Sequence, residues 1–165
     1  MELEGSCHCR AVRFRVTSTT PHPFNRCYCA ACRKTGGGGG FVVNIMGEAD
    51  SLQVEGRDNV TEYRADGDSI DGGADTDGLS HMRRAFCSRC GSALWASDPR
   101  WPAWIYPNAS AIDTPLPRPP EIVHLMLESK PSWVEVSRGP RHTRFAGYPE
   151  ESIIDWHTRR GLVVV

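Results

Sequence analysis

Seven cysteines, arranged as Cys7-x-Cys9, Cys27-x-Cys29-x-x-Cys32 and Cys87-x-x-Cys90, constrain this chain more than any other feature of its sequence. An odd count leaves one thiol over if all others pair as disulfides. The start, Met1-Glu2-Leu3-Glu4, has neither the basic nor the apolar segment of a secretory signal. The chain therefore reads as intracellular and cytoplasmic, a compartment where thiols stay reduced and metal binding or thiol chemistry explains such clusters better than cross-linking.

Zinc held by thiolates takes four ligands in a structural site, whereas a reactive site keeps three and leaves a position for water or substrate. Seven divides as four plus three. Cys27, Cys29 and Cys32 can converge on one ion across a tight turn. Cys7 and Cys9, on one face if their segment is a strand, can meet the Cys87-x-x-Cys90 knuckle to close a tetrathiolate site. Three thiolates on Zn²⁺ leave an open position suited to an incoming sulfur. The bland alternative makes both ions structural, with a fourth ligand from His8, His22, His81, His124, His142 or His157, none at a distinctive zinc spacing. A dithiol redox role for Cys87-x-x-Cys90 is the minor alternative, since that use expects a βαβ setting.

The rest of the chain reads as mostly β. At 165 residues it fits one domain over 1–165, and 16 glycines with 12 prolines predict short elements and many turns. Val12, Phe14 and Val16 alternate with arginines as in a half-buried strand, and Phe41–Met46 is a short β-like run. Leu52–Val54 and Val60–Tyr63 are expected to pair as a hairpin, with further strands at Ala93–Trp95, Ile122–Leu127 and Trp133–Val136. Trp101, Trp104 and Tyr106 read as an irregular aromatic stretch, and these residues with Trp95 are candidates to wall a cleft. Residues 64–83, rich in Asp and Gly, read as a long surface loop; a calcium loop at Asp66–Gly73 is excluded by the missing EF-hand order. The one convincing helix spans 149–160, opened by Pro149 with Glu150 and Glu151 and closed by Arg159, Arg160 and Gly161. Gly36–Gly40 forms a flexible turn, or leaves N–H groups for an anion.

Three motifs taken together, Gly5-Ser6-Cys7-His8-Cys9-Arg10-Ala11-Val12-Arg13-Phe14, Cys27-x-Cys29-x-x-Cys32-Arg33-Lys34-x-x-Gly37 and Phe86-Cys87-x-x-Cys90-Gly91-Ser92-x-Leu94, resemble the glutathione-dependent formaldehyde-activating enzyme family, whose domain also occurs in centromere protein V. The resemblance implies a mainly β, Mss-four-like β-tent with zinc-bound cysteine clusters and one C-terminal helix. It implies a structural zinc on Cys7, Cys9, Cys87 and Cys90, and a second, catalytic and labile zinc on Cys27, Cys29 and Cys32. It also implies joining of glutathione to formaldehyde, within the wider class of carbon–sulfur lyases. Two residues depart from the family pattern: Arg10 stands where Gly is usual, and Tyr28 where His is frequent between the middle cysteines.

The functional expectation is a zinc-dependent enzyme acting on a small thiol adduct, with Arg33 and Lys34 steering a carboxylate-bearing thiol such as glutathione. The alternative is a non-catalytic zinc module of the same fold that engages a protein partner. A formal charge of −1 and no basic stripe exclude a nucleic-acid partner, and no apolar run approaches the ~20 residues of a membrane span.

Overall fold

The computed structural model describes residues 1–67 and 74–164, so Asp68, Ile70, Asp71 and Gly73 of the Asp-rich segment lie outside it, as does Val165. Among the described residues twelve strands form three sheets. The first is antiparallel: β1 (Glu2–Ser6), β2 (Arg13–Thr17) and β6 (Gln53–Glu55), in the order β1-β2-β6. Leu3, Phe14 and Val16 alternate inward from it, which is why the period-2 pattern was visible in sequence. The second, also antiparallel, has the order β5-β10-β9-β8-β7, with β5 (Gly47–Glu48), β10 (Trp104–Pro107), β9 (Ala93–Ser97), β8 (Leu79–Cys87) and β7 (Val60–Asp66). The inner faces of these two sheets share one core of Leu3, Phe14, Ile45, Leu94, Trp95 and Ile105, with Phe14 edge-on to Trp95 at 5.3 Å between centroids.

The third sheet, β12-β11-β3-β4, is mixed: β11 (Ile122–Leu125) runs parallel to both β3 (Asn25–Cys27) and β12 (His142–Arg144), while β3 is antiparallel to β4 (Val42–Val43). Among the described residues two α-helices accompany the sheets, α1 (Ala30–Gly36) and α2 (Ile153–Arg159). Trp156 of α2 stacks on Phe24 at 3.8 Å between centroids and so pins the C-terminal helix beside β3. Among the described residues no helix is long and apolar enough to cross a membrane.

Several expectations need correction. The C-terminal helix starts at Ile153, not Pro149, because Ser152 is the residue that caps it: its hydroxyl accepts from Asp155 N at 3.2 Å. Gly161 does end it, at φ +64°. Helix α1 is additional. The segments 52–54 and 60–63 do not pair; β6 joins β2 while β7 joins β8. Trp104–Pro107 is a strand, not irregular. Trp133–Val136 is not one, because Lys130 Nζ takes up the carbonyls of Pro131 and Val134 at 2.9 and 2.7 Å, bonds a ladder would otherwise supply. The Asp-rich connection is also shorter than 64–83, since β7 runs to Asp66 and β8 begins at Leu79. Arg64 gathers its acids: Nη2 donates to Asp77 at 3.1 Å and Asp75 at 3.3 Å, and Nε donates to Ser80 O at 2.8 Å.

Candidate metal centres and the adjoining cleft

Cys7 and Cys9 lie on the turn between β1 and β2, not along a strand as expected. The turn is closed by Arg10 N donating to Cys7 O at 2.9 Å and by Val12 N donating to Cys7 Sγ at 3.3 Å. Cys87 ends β8, and the β8–β9 turn repeats this device, with Gly91 N donating to Cys87 O at 2.8 Å. In both turns the residue after the second cysteine is left-handed, Arg10 at φ +60° and Gly91 at φ +73°. Position 10 therefore suits glycine, and the arginine there carries a strained backbone of about 1–2 kcal/mol. Ser92 ties the turns together: its Oγ accepts from His8 N at 3.1 Å and lies 3.2 Å from Cys90 Sγ.

The four sulfurs of Cys7, Cys9, Cys87 and Cys90 lie within 4.8 Å of one another, with Cys7 to Cys9 at 3.6 Å and Cys9 to Cys87 at 3.8 Å. Tetrahedral zinc with Zn–S near 2.3 Å requires sulfurs about 3.8 Å apart, so this donor set fits the ion. Bonding to Ser92 first, and then to backbone, draws the Cys90 thiol down to about 5, which favours the thiolate that a metal needs.

The second group is Cys27, Cys29 and Cys32, again with sulfurs within 4.8 Å of one another. Among the described residues no histidine, aspartate or glutamate joins it, so the histidine-completed alternative finds no support here. Cys27 ends β3, held in register between Leu125 of β11 and Val42 of β4. Cys29 is the N-cap of α1, its Sγ accepting from Cys32 N at 3.4 Å, and Cys32 sits in the first turn. A strand end, a cap and a first turn thus converge. Contacts from Cys27 and then Cys32 pull the Cys29 thiol down to about 2, with Arg84 assisting, while the contact with Cys29 pushes Cys27 up. The trio thus holds its negative charge at Cys29 while Cys27 and Cys32 are pushed up toward the neutral thiol, and three converging sulfurs fit zinc of the open type, which would ionise the other two.

Tyr28, between two of these cysteines, is 1% exposed and lies 2.9 Å from His124 Nδ1 through its hydroxyl; His124 Nε2 lies 3.0 Å from His142 Nδ1. Burial first, then Arg26, His142 and Arg144, holds His124 down to about 4. Burial lowers His22 and His157 as well. A histidine depressed on folding keeps its full contribution above its unfolded value of ~6.5 and loses it as pH falls toward the folded value, because only the unfolded chain takes up the proton. For fully buried His124 the loss reaches about 3 kcal/mol between pH 6.5 and 4. The urea midpoint is therefore expected to drop from pH 7 to pH 5, and to drop less in His124→Asn at equal metal content. Thiolate protonation is common to both chains, so equal drops would remove His124 as the cause.

A cleft of about 510 Å³ opens beside Cys27 and Cys32. Its walls include Tyr63, Met82, Trp95, Tyr106 and Tyr148, and among the described residues Arg84 is the one arginine, lysine or carboxylate that lines it. Of the aromatic candidates, Trp95 and Tyr106 line it; Trp104 does not, and Trp101 stands 57% exposed elsewhere. Arg33 and Lys34 fall in the last turn of α1, where they complement the helix end, and neither lines the cleft. Gly36 alone of the glycine run reaches it. Gly40 N is bonded to Gly37 O at 3.0 Å, and a side chain at Gly40 would meet Val134 at 2.4 Å, so that glycine serves close packing rather than an anion. Arg84, Tyr63 and Tyr148 were missed in sequence; the alternation of Met82 and Arg84 along β8 was the available signal.

These features define a mainly β protein with two thiol-rich metal-ligand groups, one joining two sheets and one facing a cleft. A family model described as glutathione-dependent formaldehyde-activating enzyme matches residues 2–128. A protein of Halomonas elongata, named provisionally as a glutathione-dependent formaldehyde-activating enzyme, is 57% identical over 162 residues, covering 98% of each chain. The chain belongs to the glutathione-dependent formaldehyde-activating enzyme family. A crystal structure of a Rhodobacter sphaeroides protein, 24% identical, aligns with a TM-score of 0.52 over 71% of this chain and 92% of its own, a likeness of fold alone.

Proposed function

We propose that this chain is a zinc-dependent carbon–sulfur lyase-type enzyme that forms or breaks S-hydroxymethylglutathione from glutathione and formaldehyde. The observation that carries the proposal is a three-sulfur group, with no fourth protein ligand among the described residues, placed at the wall of a mostly apolar cleft. The name of the Halomonas relative points to the same chemistry. Cys7, Cys9, Cys87 and Cys90 would hold a structural zinc, and Cys27, Cys29 and Cys32 a second, more labile one. Zinc of this open kind supplies Lewis acidity that keeps a nearby thiol ionised.

The protein's own residues do the rest. Trp95, Tyr106 and Met82 exclude water from the reacting carbon, and a volume of about 510 Å³ suits a tripeptide-sized ligand. In the forming direction the ionised sulfur adds to the formaldehyde carbon, the carbonyl pair moves to oxygen, and that oxygen takes up a proton; cleavage reverses each move. Burial, then Asp98, raises Tyr106 above the usual phenol value, so its Oη keeps its proton at neutral pH and can donate to the developing oxyanion.

The testing measurement is zinc per chain, with and without excess glutathione, in wild type and Cys27→Ser. Two ions in wild type, one in the variant, and a second ion whose retention or coordination responds to glutathione are expected. Two tight ions indifferent to thiol would replace the enzyme with a binding module.

A further inference from the structure

We propose that Arg84 anchors a carboxylate of the substrate, making the cleft selective for thiols that carry an anionic group and unfavourable to aminothiols. This deepens, and rests on, the reading of the cleft as a thiol site. Three observations converge on it. First, β8 alternates, so that Met82 and Arg84 line the cleft while Arg83 turns away to Glu62 at 3.8 Å. Adjacent arginines on one strand therefore have opposite surroundings, one paired and one facing the site.

Second, the Arg84 guanidinium donates from Nη1 to a backbone carbonyl, Met82 O, at 3.4 Å. No carboxylate lies within ion-pair distance of it among the described residues, and none lines the cleft. A half-buried guanidinium with no carboxylate partner keeps donors for a ligand, and its planar fork matches a carboxylate in two parallel hydrogen bonds. Third, Arg84 lines the same cleft as Cys27 and Cys32, which places it on one wall system with the sulfur group. A ligand that engages both must carry sulfur and carboxylate on one small molecule. With no acid on the walls among the described residues, a ligand ammonium would meet Arg84 without a carboxylate to offset it, so cationic thiols are disfavoured.

The experiment measures binding of 3-mercaptopropionate, its amide, cysteamine and glutathione to the metal-loaded protein, by tryptophan fluorescence and calorimetry. Wild type is compared with Arg84→Gln, Arg84→Lys and, as an opposite-face control, Arg83→Gln, each at verified metal content. In wild type the carboxylate is expected to bind about ten- to a hundredfold tighter than the amide, with cysteamine weakest. Arg84→Gln is expected to erase that preference while leaving amide binding unchanged, Arg84→Lys to keep part of it, and Arg83→Gln to keep all of it. Equal weakening of carboxylate and amide in Arg84→Gln would make Arg84 a charge balance for the thiolates and overturn the proposal, as would a wild type without preference. Absence of binding by every thiol would instead fail the underlying reading of the site.

Discussion

Replacing Cys87 with serine is expected to abolish the native fold rather than tune it. Cys87 is fully buried at the end of β8, and its sulfur is one of four that join the β1–β2 turn of the first sheet to the β8–β9 turn of the second. Apparent binding of structural zinc in zinc-finger peptides is worth ~10–16 kcal/mol at neutral pH. Domains of this size are stable by only ~5–15 kcal/mol. Losing one ligand of four therefore removes a contribution as large as the whole net stability. Purified Cys87→Ser is expected to carry one metal fewer per chain and to show no cooperative urea transition; strong chelation should do the same to wild type. A variant with a wild-type unfolding curve and metal content would show that the turns hold without the ion.

The cysteine partition was legible in sequence because ligand spacing depends on short turns, which need no knowledge of the fold. Even so, it was reached through a wrong local picture. Cys7 and Cys9 converge because Arg10 bends the chain at φ +60°, not because they share a strand face. The first sheet was legible where one face is buried, as at Phe14 and Val16, since burial forces alternation.

What was hidden follows from the same physics. β12 is a three-residue edge strand of His142, Thr143 and Arg144, polar because it has little to bury. Trp133–Val136 has a strand-like composition, yet Val134 packs against Gly40 and Lys130 satisfies the local carbonyls, so the segment covers the core without a partner strand. Arg84 was hidden for a third reason. It sits beside Arg83, just past what looked like the end of a polar loop, and only the antiparallel pairing of Arg83 with Ser97 and Arg84 with Ala96 shows which arginine faces the cleft. Arg33 and Lys34 drew attention by nearness in sequence to Cys32, but a helix begins at Ala30 and carries them away from the cleft lining.

The second large effect is expected at Cys29, and it separates chemistry from folding. Cys29 caps α1 through its sulfur, and serine is among the preferred N-cap residues, so Cys29→Ser keeps the cap while removing a thiolate ligand. The helix packs with Ala65, Leu125 and Met126 in a cluster to which buried Cys29 also belongs, and serine nearly keeps its volume there. Stability is thus expected to stay within about 1–2 kcal/mol of wild type, by urea unfolding, while the variant carries one metal fewer. Turnover of glutathione with formaldehyde above the uncatalysed rate should fall at least a hundredfold, about 3 kcal/mol of lost transition-state stabilisation at 1.36 kcal/mol per factor of ten. The decisive comparison is with Cys87→Ser: one serine removes the fold, the other leaves the fold and removes the reaction. Retained turnover in a one-metal Cys29→Ser protein would mean that the three-sulfur group serves the architecture alone. The bond-making site would then have to lie elsewhere, beyond the reach of Arg84 and Tyr106.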